Sequence, residues 1–413
     1  MKKYSIDQEK LNKLAALSVN TGLCIQPGQD LLITSPVEAL PLVRRIAFHA
    51  YRAGANLVTP FFSDPELTLT RYKHAPDTSF DKAPSWLFKG MGEAFDNNTA
   101  RLAIVGDDPM LLEKQDPEKI SRSNKAVSNA SKPARERITS FQINWNIVAW
   151  PGQAWAARVF PSLPASEAQR RLAEAIFAAS RVNSVDPGEA WKSHNDNLQK
   201  RSSWLNKKNF EYLYFNGPGT SLKVGLAENH EWMGGASKSQ NGIVCNPNIP
   251  SEEVFTTPHR LKVEGTVCST KPLSHQGTLI DEIRVTFKEG RIIEAKAKKG
   301  EHVLRKLLEA DEGASRLGEV ALVPDSSPIS RSNLLFFNTL FDENAACHIA
   351  LGQCYTKCFK NGEKLSKNEL ESFGGNTSMI HIDWMIGSKN IDVDGLHVNG
   401  SSTPIFRSGE WVN

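Results

Sequence analysis

The sequence predicts an α/β fold in its first half, an open and mostly parallel sheet covered by helices, followed by an α+β domain with antiparallel strands. Three observations predict this. Short apolar runs alternate with amphipathic helical segments before about residue 205. A polar stretch follows from about 183 to 209, ending in KRSSWLNKKN. Beyond it, hairpin patterns replace the alternation. A chain of 413 residues is long for one domain and comfortable for two, so the domains are set at 1–205 and 206–413.

Element by element, LNKLAALSVNTG reads as an amphipathic helix ending at Gly22, and DLLITS as a strand. Residues 37–53 form a helix that Gly54 stops, and NLVTPFF is the next strand. RLAIVGDD and NWNIVAWP are two further apolar runs bounded by polar helical segments. The first half contains neither GxGxxG nor GxxxxGK[ST], so nucleotide binding has little support, and GDDP at 106–109 reads as a turn. The 183–209 stretch is either one long helix or the bridge between domains. FEYLYF–NGPG–SLKVGL is a hairpin with a glycine-rich turn, and IRVTFKEGRIIEAKA a second that turns at Lys288–Arg291. VLRKLLEA is a short amphipathic helix, and EVALVP an almost wholly apolar strand of the buried kind.

Composition excludes several function classes. The chain is 40% hydrophobic and 23% charged with a net charge of +3, and its basic residues are interspersed with acids. That is not the footprint of a nucleic-acid binder. No apolar run is long enough to span a bilayer, and MKKYSIDQEK lacks the apolar core of a signal peptide. Six scattered cysteines without a CxxC fit free thiols in a reducing cytoplasm. Cys354 and Cys358 have the spacing of one helix face.

The chemistry lies in the second half. In HIDWMIGS, His381 and Asp383 are two residues apart, so on a strand they share a face while Ile380, Ile382 and Trp384 take the other. Such a pair also occurs as an ordinary polar couple at a sheet edge. Further candidate ligands strengthen the metal reading: Glu252 and Glu253 before a strand that follows Pro250, Glu319 opening EVALVP, and His348 in HIALG with Tyr355 shortly after. Buried imidazoles and carboxylates need compensation, and this donor set suits zinc, manganese or cobalt better than thiolate-bound ions.

EEVFTTPHR, LGEVALVP, FDENAACHIALGQCY and HIDWMIGSKNIDVDG together resemble the motif blocks of the aminopeptidase T, aminopeptidase S and PepS family of metallo-aminopeptidases. Length and block order match the PepS type, and the blocks cover residues 250–395 densely. The resemblance implies metal ligands at Glu253, Glu319, His348, His381 and Asp383, with Tyr355 at or beside the metals. It also implies two divalent ions per chain (zinc, cobalt, manganese or magnesium), a C-terminal catalytic domain, and a homodimer enclosing a shared cavity. The substrates implied are short peptides with a free N-terminus. Two ions about 3.5–4 Å apart need a bridging carboxylate or water. Glu319, at a rigid strand start, is the choice for the bridge. Tyr355 alternatively donates a hydrogen bond to the tetrahedral oxyanion. Glu253 and Glu319 are candidate general bases, with Glu252 a more remote one.

Other residues carry plainer alternatives. His259 and His397 are either cavity-lining or surface residues; Asp392 and Asp394 are expected in turn-forming or supporting roles, since Asp394-Gly395 is a turn signal. Asn344 either orients a ligand or caps a helix or turn. Trp145, Trp150 and Trp155 are expected in the core or at a dimer contact. Two competing functions remain open: a binuclear hydrolase of another amide or a phosphoester, and a non-catalytic binding protein with structural metals.

Overall fold

The computed structural model describes residues 6–275 and 278–412. The chain divides into two compact units, one made of residues 1–193 and 236–250, the other of 194–235 and 251–413. Met1–Ser5, part of the segment read for a leader, lie outside the described residues.

The first unit is built on four parallel strands, β1 (Leu31–Pro36), β2 (Val58–Ser63), β3 (Ala100–Val105) and β4 (Trp145–Ala149), in the order β2-β1-β3-β4. Parallel neighbours require crossovers, which the helices supply. Helix Gln8–Leu17 starts where the Asp7 side chain accepts the Glu9 and Lys10 N–H groups, and it buries Leu11, Leu14, Ala15 and Leu17. A wider π-helical turn, Ser18–Leu23, continues it through Gly22. Residues 37–53 resolve into a 3₁₀ turn and helix Leu40–Arg52, whose buried stripe is Leu42, Val43, Ile46 and Ala50. GDDP forms a turn, with Asp108 accepting the Met110 N–H at 2.9 Å. Trp150 and Trp155 are buried and Trp145 half-buried against Phe141.

The polar 183–209 stretch is a helix, Pro187–Lys208. Among the described residues the second unit holds a two-stranded sheet, Leu273–His275 with Thr278–Ile280, and two large antiparallel sheets. One has eight strands and contains both expected hairpins, Tyr212–Gly217 with Thr220–Leu226 and Arg284–Lys288 with Arg291–Lys296. The other has five strands in the order 381–385, 348–352, 317–322, 254–256, 233–234. Its inward face, with Val320, Leu322, Ile349, Leu351, Ile382 and Trp384, joins the main apolar core. The other face carries the candidate ligands.

Two expectations are corrected. Asp394-Gly395 makes no turn: both sit within strand Asp392–Leu396, where Gly395 faces the Phe210 ring too closely for any Cβ. Asp394 pairs with Arg407 at 2.6 Å and Asp392 accepts the Ser408 N–H at 2.8 Å. Cys354 and Cys358 share no helix; Cys358 ends the 3₁₀ turn Thr356–Cys358, and all six cysteines are free.

Candidate metal centre

Strand register assembles the site. Glu319 pairs with Ala350, and Ala350 with Asp383, so these side chains form one row across three strands. His348 lies opposite Ala321 and Met385, and His381 opposite Gly352. Alternation puts 319 and 321, 348, 350 and 352, and 381 and 383 on one face. Alanine and glycine between the ligands leave room at their centre. A bulge between Leu317 and Glu319 re-aims the carboxylate. Gly318 is required there, because a Cβ would meet the Gly352 and Gln353 carbonyls at 2.4 Å. Glu253 enters from residues just before strand Val254–Thr256.

The five side chains converge as two overlapping triads, Glu253–Glu319–His348 and Glu319–His381–Asp383, each with one ligand atom per residue within 4.8 Å of the others. Glu319 belongs to both. His348 Nε2 lies 3.1 Å from Glu253 Oε2 and 3.8 Å from Glu319 Oε1. His381 Nε2 lies 3.2 Å from Glu319 Oε2 and 3.4 Å from Asp383 Oδ1.

The other ring nitrogen of each histidine is spoken for. His348 Nδ1 donates to the Ala346 carbonyl at 3.2 Å and His381 Nδ1 to the Gln353 carbonyl at 2.7 Å. With the N–H on Nδ1, each Nε2 presents a lone pair to carboxylate oxygens. Acceptors facing acceptors at hydrogen-bond distance call for a cation between them. Glu253 Oε2 and His381 Nε2 are buried and have no hydrogen-bond partner. Oxygen and imidazole donors, two fixed tautomers and two orphaned atoms fit divalent ions.

Electrostatics state the same demand. Burial pushes the Glu253 carboxyl up, aided by the charges of Glu319 and Asp383 and opposed by His348. Burial works against charging His348 and His381, yet the surrounding carboxylates outweigh it and hold both imidazoles well above their ordinary 6.5. Asp383 is lowered despite its burial, because both histidines favour its charged form. Without metal, protons are the counter-charge.

Tyr355 keeps 40% of its surface exposed while its ring packs on His381 with centroids 4.8 Å apart. Lost hydration at the hydroxyl and the nearby carboxylates raise its pKa well above 10. Glu252, by contrast, turns to the side: His194 Nε2 is 3.8 Å from its Oε2, and its N–H donates to Asn344 Oδ1 at 2.6 Å. Asn344 is fully buried and serves both ends: its Oδ1 takes the Glu252 N–H, and its Nδ2 donates to the Leu340 carbonyl of helix Thr339–Asp342 at 3.1 Å.

Sequence reasoning missed Glu343. Desolvation and the negative charge of Glu253 and Asp383 raise its carboxyl well above the ordinary range. The available signal was FDENAACHIA, three polar residues held inside an apolar run five positions before His348. Asp342, in the same run, accepts the N–H groups of Phe336 and Asn338 at 2.8 and 2.9 Å. His259 and His397 lie outside the cluster. The first abuts Gly374, and the second packs at a tilt against the Phe210 ring and shares a hydrogen bond with Thr403.

The profile of a family described as thermophilic metalloprotease (M29) matches residues 7–411. The chain is 50% identical to aminopeptidase T of Thermus thermophilus over 408 residues, 98% of this chain and 99% of that one. It is 39% identical to aminopeptidase PepS of Streptococcus thermophilus over 406 residues, 98% of each. The solved structure of wild-type AmpT from Thermus thermophilus superposes with a TM-score of 0.94, covering 98% of this chain and 100% of that one.

Proposed function

The chain belongs to the thermophilic metalloprotease (M29) family, and from that premise we propose how it acts as a metal-dependent aminopeptidase on short peptides with free N-termini. The carrying observation is the shared carboxylate: Glu319 is common to both ligand triads. A bridging acid is what a two-ion centre needs. We assign Glu253, Glu319 and His348 to one divalent ion and Glu319, His381 and Asp383 to the other. Zinc, cobalt, manganese or magnesium suits the donors. When bound, such a pair supplies Lewis acidity to the scissile carbonyl and lowers the pKa of water.

The chain's own residues supply the rest. Tyr355, held neutral by its raised pKa, keeps its proton and can donate to the tetrahedral oxyanion. Glu343, buried and close enough to Glu253 and Asp383 to feel their charges, is placed to exchange a proton with water or the leaving amine once bound ions offset those charges. It joins Glu253 and Glu319 as a candidate general base. Asn344, on the Glu252 N–H, and the two backbone carbonyls on the imidazoles fix the donors before substrate arrives.

The catalytic domain in this reading is the C-terminal one, and the chain works as a homodimer. Cysteines that are all free fit a cytoplasmic setting. Among the described residues no helix is long and apolar enough to cross a membrane. The test is mass spectrometry of a matched peptide pair, with sedimentation to establish the oligomer. Free-N-terminal peptides are trimmed stepwise and acetylated ones survive. Internal cleavage of the acetylated peptide would replace this reading with an endopeptidase.

A further inference from the structure

A second polar enclosure lies in the same unit as the metal-ligand cluster, with a volume of about 660 Å³. It is walled by the 311–316 turn, helix Lys367–Ser372, the 376–379 segment, Arg260 and Gln353. Its size is that of small-molecule sites, roughly 300–1,000 Å³, but its lining is charged. Arg260, Arg316 and Lys367 face Asp311, Glu312 and Glu371.

Most of these charges are already used. Glu371 pairs with Arg260 at 3.4 Å and Lys367 at 3.8 Å, and accepts the Thr377 hydroxyl at 2.6 Å. Asp311 accepts from Ser378 Oγ at 2.8 Å and from the Met379 N–H at 2.5 Å. Two groups are left over. Arg316 Nη1 donates to the Arg260 and Glu289 carbonyls, at 2.9 and 3.2 Å, and among the described residues it makes no ion pair. Glu312 is exposed to the enclosure, and among the described residues no hydrogen bond or ion pair holds it. This cation and anion feel each other's charge without making an ion pair, and together they do not suit a simple ion: phosphate would meet Glu312, and a divalent cation would meet Arg316. They suit a zwitterion.

The enclosure also touches the metal site through one residue. The Gln353 side chain lines it and accepts the Ser378 N–H at 3.0 Å. The Gln353 main-chain carbonyl holds His381 Nδ1 at 2.7 Å, and its N–H reaches the Ile380 carbonyl. A ligand that takes the Gln353 side chain or Ser378 as a partner competes with the Ser378–Gln353 hydrogen bond, and so acts on the residue whose main-chain carbonyl orients a metal-ligand histidine.

We propose that this enclosure binds a free α-amino acid or dipeptide, carboxylate on Arg316 and ammonium on Glu312, and that its occupancy slows turnover through Gln353 and His381. The inference rests on the aminopeptidase reading only in that such zwitterions are its products. Binding here is distinct from product binding at the metals, because it leaves the substrate's place open.

The experiment uses the full-length, metal-loaded protein. L-Leucine, leucinol (no carboxylate) and N-acetylleucine (no ammonium) are titrated by calorimetry and added to hydrolysis of leucine p-nitroanilide. L-Leucine is expected to give a non-competitive component, with kcat lowered and KM held. Leucinol and N-acetylleucine are expected to be at least about tenfold weaker in that component, as the loss of one charge-assisted contact implies. Arg316→Gln and Glu312→Gln are each expected to weaken it about as much, leaving kcat and KM without leucine within about twofold. Because Arg316 also holds two backbone carbonyls, Glu312→Gln is the decisive variant. Purely competitive inhibition, or a non-competitive component unchanged in Glu312→Gln, overturns the proposal. Absence of any nitroanilide turnover would instead count against the aminopeptidase reading, while calorimetric binding lost in Glu312→Gln would still uphold the enclosure.

Discussion

Each unit of the molecule buries a polar cluster, and the two are finished differently. In the first unit, Asn144 is fully buried; its Nδ2 donates to the Leu23 carbonyl at 2.8 Å, and its Oδ1 accepts from Gln29 at 2.7 Å and from Asn241 at 3.2 Å. Gln29 in turn donates to the Asn98 carbonyl and accepts the Gln26 N–H. Donors meet acceptors and no charge is involved. In the second unit, carboxylates and imidazole lone pairs converge, and Glu253 Oε2 and His381 Nε2 have no hydrogen-bond partner. A neutral network closed on itself stabilises a fold. An ionisable cluster left open needs something else to complete it. Burial alone therefore does not identify a functional site; the mismatch of donors and acceptors does.

The largest test of this contrast removes the missing cations. Chelation is expected to abolish hydrolysis of an aminoacyl-nitroanilide, and a divalent ion to restore it. Full activity in protein that elemental analysis finds metal-free would break the comparison. The pH dependence has a definite sign. Because protons on His348 and His381 compete with metal from above pH 6.5, metal occupancy at fixed free metal falls as pH is lowered. In chelated protein the effect on stability runs the other way. A folded-state pKa raised above the unfolded value gives stabilisation that is complete below pH 6.5 and lost as pH climbs through the raised value. Denaturant titrations of chelated and loaded protein between pH 6 and 9 check both.

Next in size is Glu319→Gln, which keeps shape and removes the charge common to both triads. A loss of order 10²-fold or more in kcat/KM is expected, at roughly 1.4 kcal/mol per factor of ten, with metal stoichiometry reduced. Near-normal kinetics and metal content would deny Glu319 the bridging role.

Asn144→Ala attacks the closed network instead. It should cost about 1–3 kcal/mol of stability by stranding buried partners, while kcat/KM per folded molecule is unchanged. A catalytic defect without a shift in the unfolding midpoint would show that the network serves more than the fold. The smallest effect is expected for Glu252→Gln, under about threefold in kcat/KM, since the side chain turns from the triads towards His194. A larger loss than that of Glu319→Gln would mean that Glu252, not Glu253, is the ligand.

The strands were legible because alternation and apolar runs are local. HIDWMIGS announced that His381 and Asp383 share a face, and the structure keeps them on one strand with Ile382 and Trp384 buried behind. The hairpins and the β-α alternation of the first half were equally local signals. Asp394-Gly395 misled for the complementary reason: a turn-forming dipeptide was absorbed into a sheet when its neighbours on both sides paired. Glu343 was missed because its local signal, three polar residues inside an apolar run, does not tell a carboxylate that faces other carboxylates from one that faces water.

By itself, then, the sequence determined the donor types, their strand faces and the two-part alternating and antiparallel pattern, all of which follow from backbone periodicity and side-chain chemistry. The tertiary structure decided the rest. Strand register put Glu319 opposite Ala350 and within reach of both histidines, the bulge at Gly318 aimed it, and carbonyls of Ala346 and Gln353 fixed which imidazole nitrogen faces inward. Those are relations between segments up to 130 positions apart (253 to 383), and only folding sets such distances, because charge demand and hydrogen-bond satisfaction are properties of a neighbourhood in space.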